Sequence, residues 1–130
     1  MTMVAFVDET TAGDRAAAWH LEIFEESLPL REVIRRRVFQ EVAEHNAATP
    51  PVFRGLVQPS DAERTRNGYR TREPRRVDPE KQFTRAVEAF GRNGFVVLVG
   101  DRQVEDLDAV IDLRMGVEIT FLKLVPLVGG

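Results

Sequence analysis

The residues best placed to do chemistry stand at the end of the sequence. There Pro126-Leu127-Val128-Gly129-Gly130 follows an apolar run over residues 117–125. Proline removes a backbone donor and breaks a paired strand, so a rigid element is expected to stop there and leave a short tail, residues 126–130, in solvent. Glycine has no Cβ, so a Gly-Gly tail can thread a channel that rejects other residues and can present its carboxylate to an active site on another protein. Most termini fray and carry no such message. Taken alone, a terminal glycine pair is better read as chance.

Other chemistries find less support. There is no cysteine, which removes disulfides, thiolate metal sites and cysteine nucleophiles. His20 and His45 lack ligand spacing, so no metal site is expected. Glu25-Glu26 and Glu105-Asp106 read as solvated surface, and Trp19 reads as core. No phosphate-binding glycine loop and no nucleophile elbow occurs.

At 130 residues, with 43% apolar and 30% charged residues, the sequence is expected to form one globular domain over 1–130. The start lacks the basic and apolar regions of a signal peptide, and no apolar run is long enough to span a bilayer. With the lack of cysteine, these features suit a cytoplasmic protein without a membrane partner. The net charge of −3 argues against nucleic acid as the main partner. The charge is uneven, however. Residues 54–76 hold seven arginines against Asp61, Glu63 and Glu73, a local excess of four positive charges that leaves seven net negative charges elsewhere. The cluster over residues 64–76 has Tyr69 as its one aromatic residue, so it reads as a solvated loop that orders on a protein partner rather than an RNA-binding surface.

Several elements must position the tail. Residues 4–8 read as a strand, and residues 17–24 alternate, with Trp19, Leu21 and Ile23 on one face and His20 and Glu22 on the other. Together they predict a hairpin. Ser27 as cap and Pro29 in the first turn predict a helix to about Asn46, with Leu30, Val33, Ile34, Val38 and Val42 as its buried stripe. Residues 47–77 differ in composition and read as an insertion: a short strand within residues 52–57, then a mobile arginine-rich loop. Asp78-Pro79 opens a second helix whose stripe is Phe83, Ala86, Val87 and Phe90. Asn93-Gly94 closes it, with glycine expected in the left-handed position. Residues 95–99 read as a central strand, Gly100-Asp101 as a turn, residues 102–104 as its partner strand and residues 105–113 as irregular. In the last strand Val117, Ile119 and Phe121 alternate with Glu118 and Thr120. Leu122 and Leu124 then fall on the opposite face, where exposed apolar residues mark a docking surface.

This order of elements resembles the β-grasp, or ubiquitin-like, fold. Residues 78–130 resemble the second half of the small sulfur carriers, the small subunit of molybdopterin synthase and the thiamine-pathway carrier. The matching pieces are Asn93-Gly94, Phe95-Val96-Val97-Leu98-Val99, Gly100-Asp101, Glu105-Asp106-Leu107-Asp108, Gly116 and Pro126-Leu127-Val128-Gly129-Gly130. Residues 1–46 match in order of elements only, and the chain is longer than a typical carrier.

The resemblance implies an α+β fold with a mixed sheet packed on a helix, here with an inserted loop and a second helix. It implies a carrier or modifier with no catalysis of its own and no bound cofactor. The Gly130 carboxylate would attack the α-phosphate of ATP inside a separate E1-like adenylating enzyme. The acyl-adenylate would become a thiocarboxylate for a sulfur-accepting enzyme, or a thioester leading to an amide on an acceptor protein. On this reading Gly130 is the reacting group and Gly129 gives clearance. Leu127 and Val128 are the grip, Pro126 the strand stop, and Leu122 with Leu124 the docking face. The alternative is a non-conjugated β-grasp interaction module that binds a partner through its sheet face or the arginine loop. A nucleic-acid-binding domain is a weaker third reading.

Overall fold

The computed structural model describes residues 2–16, 19–48, 52–53, 55–57, 62–65, 68–71, 76–114 and 116–124. In chain order the elements are β1 (Thr2–Thr10), β2 (Trp19–Ile23), β3 (Ser27–Pro29), α1 (Leu30–Ala48), β4 (Val52–Phe53), β5 (Ala62–Thr65), β6 (Gly68–Thr71), α2 (Pro79–Gly91), β7 (Phe95–Val99), β8 (Arg102–Val104), β9 (Val110–Asp112) and β10 (Glu118–Lys123). The protein is α+β, with a mixed five-stranded sheet and two helices. The chain divides into two compact units: Met1–Glu32 with Phe90–Gly130, and Val33–Ala89.

The first unit is built on the five-stranded sheet, ordered β2-β1-β10-β7-β8. β1 and β10 run parallel at its centre, and every other pairing is antiparallel. The alternation over residues 17–24 yields the expected hairpin. Trp19, Leu21 and Ile23 pair with Phe6, Val4 and Thr2, while His20 and Glu22 are exposed. Side chains on successive strand residues point to opposite faces. Val4, Phe6, Ile119, Phe121, Phe95 and Val97 therefore share one face, and all are buried. Their rings form a chain: the Phe121 centroid lies 5.7 Å from Phe6 and 6.1 Å from Phe95, and Phe6 lies 5.0 Å from Trp19.

On the opposite face Val7 and Thr120 are neighbours and also buried. Arg15 bridges two carboxylates of this face. Its guanidinium binds both Glu9 and Glu118, the latter at 2.9 Å, and those carboxylates flank the Val7–Thr120 row. Exposed ion pairs of this kind contribute little stability.

The β7–β8 turn is as expected. Val99 pairs with Arg102, and Gly100 sits at φ 63°. A two-residue hairpin with glycine at its first position takes such a left-handed value without strain.

Three expectations are corrected in this unit. Ser27 and Pro29 do not open the helix; they lie in β3, which pairs with β9 inside the stretch read as irregular. The first free N–H groups of α1 find backbone partners instead of a side-chain cap: Leu30 donates to the Ala109 carbonyl at 2.9 Å and Arg31 to that of Leu107 at 2.8 Å. Asn93, not Gly94, takes the left-handed position after α2, at φ 59°, because a short amide tolerates that region. The last strand is shorter than residues 117–125 and covers Glu118–Lys123.

In the second unit α1 carries the expected stripe of Val33, Ile34, Val38 and Val42, all buried. The same helix also buries Arg37 and His45. Arg37 donates to Glu41 at 3.2 Å, and Glu41 accepts the Leu56 N–H at 3.2 Å. On α2 Gln82 donates to the Val57 carbonyl at 3.0 Å. These two side chains hold a buried bend, Gly55-Leu56-Val57, and this is why the strand expected within residues 52–57 stops at Phe53. Gln82 and Ala86 are the buried residues of α2, whereas Phe83, Val87 and Phe90 are half-buried, a correction to its stripe. Phe83 and Phe39 instead sandwich the Arg35 guanidinium, at 5.3 and 4.5 Å, and Arg35 pairs with Glu80 at 2.6 Å.

The arginine-rich stretch is not the structureless loop expected. β4, β6 and β5 form a three-stranded antiparallel sheet, with Thr65 opposite Gly68. Strand pairing satisfies the backbone there even though apolar periodicity is weak.

Asp78 caps α2 as expected, its Oδ1 accepting the N–H groups of Glu80 at 2.9 Å and Lys81 at 3.3 Å. Asp78→Ala is expected to lower stability by about 1 kcal/mol, read from the urea midpoint; an unchanged midpoint would refute that role.

Candidate docking strand

β10 leads from the centre of the sheet into the Gly-Gly segment, so its outer half is the element that bears on the tail. The register places Leu122 between Glu9 of β1 and Val96 of β7. Leu122 therefore lies on the face opposite Ile119 and Phe121. It is half-buried. Beyond β10 the backbone is held one residue further: Leu124 donates to the Gly94 carbonyl at 3.2 Å. The Leu124 side chain is 39% exposed. Pro126, Leu127, Val128, Gly129 and Gly130 lie outside the described residues.

The strand carries more than the two leucines. Val96 is directly opposite Leu122, and Leu98 is opposite Thr120. Both are half-buried and extend an apolar strip across β7 and β10. A continuous run such as residues 95–99 does not say which face each residue takes, so Val96 and Leu98 could not be placed on this strip from sequence. The strip ends at carboxylates: Glu9 beside Leu122, and Glu118 four residues back along β10. The Arg15 guanidinium between them is held more firmly protonated than usual, chiefly by its hydrogen bond to Glu118, which outweighs desolvation, with the Glu118 charge and Glu9 adding to it. The surface around Leu122 is thus apolar in the middle and tied at its rim by one ionic bridge.

A recess lies in the same unit, between β8 and β9. It has a volume of about 620 Å³, with Val99, Val104, Ile111 and Val117 among its walls. Asp112, at the end of β9, accepts from Arg114 through both carboxylate oxygens, at 3.1 and 2.8 Å, and from its backbone N–H at 3.0 Å. The Arg114 side chain and then its backbone N–H lower the Asp112 pKa from the ordinary 3.8 to about 2. The folded-state value lies below the unfolded one, so this contact stabilises fully above the unfolded pKa and is lost as pH falls through about 2. The stability gap between the wild type and Asp112→Asn is expected to be open at neutral pH and to close over that acid window in urea titrations. A gap independent of pH would refute the contact.

Among the described residues no group of three potential ligands could hold a metal ion, and no helix is long and apolar enough to cross a membrane. No family model, no curated protein and no solved structure matches the chain.

Proposed function

We propose that this chain is a ubiquitin-like carrier or modifier of β-grasp type, whose Gly130 carboxylate is activated by a separate ATP-dependent adenylating enzyme. One observation carries the reading: the strand leading to the glycines lies parallel to β1 and between β1 and β7 at the centre of the sheet. A first hairpin, a last strand inserted beside its first member, and a second hairpin on the far side make up the β-grasp strand order. Pairing on both sides fixes where Lys123 stands, and the bond from Leu124 to the Gly94 carbonyl holds one residue more. Presenting a reactive group from a fixed base lowers the entropic cost of placing it in an active site.

The chemistry is that of acyl activation. A Gly130 carboxylate oxygen attacks the α-phosphorus of ATP, the bond to the bridging oxygen breaks, and pyrophosphate leaves. A sulfur nucleophile then attacks the acyl carbon of the adenylate and AMP leaves. The product is a thiocarboxylate that passes its sulfur to an accepting enzyme, or a thioester that a lysine amine of an acceptor protein converts to an amide. The chain contributes position and a docking face, with Leu122, Leu124 and Val96 as the residues offered to the activating enzyme. The arginine-rich residues 64–76 stay outside this scheme.

ATP–pyrophosphate exchange tests the reading. With an adenylating enzyme from the same host, the full chain is expected to stimulate exchange, and a chain lacking Gly130 is expected to give none. Equal exchange by both would overturn it. Partner binding that survives removal of Gly129-Gly130 would favour the non-conjugated interaction module.

A further inference from the structure

The recess between β8 and β9 is bordered by strand edges whose backbone is turned toward open space. β8 is the last strand of the five-stranded sheet. Val99 and Arg102 close a two-residue hairpin, so they form a hydrogen-bonded pair, as do Val97 and Val104 two residues on. Gln103, between them, points its N–H and C=O away from β7. On β9 the Ala109 carbonyl accepts from Leu30, and the Leu113 N–H donates to the Glu26 carbonyl. Residues 109, 111 and 113 therefore face β3, while Val110 and Asp112 turn their backbone groups away from it.

The recess has apolar walls, and Val110 at its border is 69% exposed. Its polar rim is divided: Glu105 and Asp106 follow one end of β8, and Arg102 opens the other. Asp112 is already neutralised by Arg114. Unpaired strand edges of this kind are templates for another strand. A recess of a few hundred cubic ångströms with apolar walls and a few placed charges is the usual form of a binding site.

We propose that this recess binds an extended segment of a partner protein, which adds to the β8 edge, sets alternate apolar side chains into the cavity, and places a basic residue at Glu105 and Asp106 and an acidic one at Arg102. Main-chain hydrogen bonds supply affinity in such strand addition, and pockets for alternate side chains supply specificity. The divided rim sets the orientation of the segment. The site uses neither β10 nor the glycines, so it stands independently of tail activation.

The test is a fluorescence-anisotropy titration of the full chain with two labelled peptides, Lys-Thr-Val-Thr-Val-Thr-Glu and its charge-reversed counterpart Glu-Thr-Val-Thr-Val-Thr-Lys. One of the two is expected to bind saturably, and the preferred one reports the strand direction. Val110→Asp, at an exposed position, is expected to weaken that peptide about tenfold. Gln103→Pro removes one edge donor and should have a similar effect. Because that variant could disturb β8, a peptide N-methylated at its central valine tests the same hydrogen bonds with the protein unaltered, and it too should bind about tenfold more weakly. Glu105→Lys should reverse the peptide preference. A chain lacking Gly129-Gly130 should bind as the full chain does. The proposal is overturned if neither peptide binds, or if N-methylation and Val110→Asp both leave the affinity unchanged.

Discussion

Phe121→Ala is expected to lower the unfolding free energy by about 3–5 kcal/mol. Phe121 is fully buried, stands on the central strand, and contacts Phe6 on one neighbouring strand and Phe95 on the other. Truncation removes the ring joining these two, and strands paired on both sides leave little freedom to close the space. Domains of this kind have a total stability of about 5–15 kcal/mol, so the variant should unfold at a far lower urea concentration. Phe121→Leu keeps more of the volume and should cost less. A shift in the Ala variant equivalent to less than about 1 kcal/mol would mean that the aromatic chain is not the centre of this unit.

The second large effect belongs to the other unit. Arg37→Ala is expected to cost about 3–5 kcal/mol, because it removes one charge of a buried ion pair while the other stays inside. The Arg37 side chain is 1% exposed and that of Glu41 12%. Glu41 would lose the Arg37 guanidinium that holds it while it accepts the Leu56 N–H, and the bend at residues 55–57 would be less firmly anchored. The double variant Arg37→Met/Glu41→Leu removes both charges at similar volume and should be less destabilised than Arg37→Ala alone. Chemical denaturation of the set decides this. A double variant that loses the sum of the two single losses would refute the pairing.

These two sites show what the sequence could reveal. Phe121 was legible because Ile119 and Phe121 alternate with polar neighbours. So was β2, where Trp19, Leu21 and Ile23 follow the same period. Asp78-Pro79 marked the start of α2, and Gly100 marked a turn, because these depend on backbone chemistry local to one or two residues. Arg37 was not legible. A charged residue on a helix is expected in solvent, and the Leu56 N–H that Glu41 accepts comes from a residue far along the chain, which no local pattern announces. Gln82 is hidden for the same reason, since its partner is the Val57 carbonyl. Ser27 carried a true capping signal, but pairing with residues 110–112 took precedence over it. The β5–β6 hairpin was masked by its arginines, which weaken the apolar period that marks a strand.

In the candidate site, the break in alternation after Phe121 located Leu122, whereas Val96 and Leu98 emerged only from the register. The tail reading rests on composition alone, proline, leucine, valine and a glycine pair, since residues 126–130 lie outside the described residues. Its neighbours in space could not be read from it, because a short segment without periodicity specifies no packing.

The most direct measurement is the intact mass of the protein purified from its native host, before and after incubation with ATP and the host's adenylating enzyme. The account predicts a chain ending at Gly130 that gains an adenylyl group, exchanges one carboxylate oxygen for sulfur, or becomes joined through an amide to another protein. A chain that keeps an unmodified Gly130 carboxylate under these conditions, or whose mature end lies elsewhere, would contradict it.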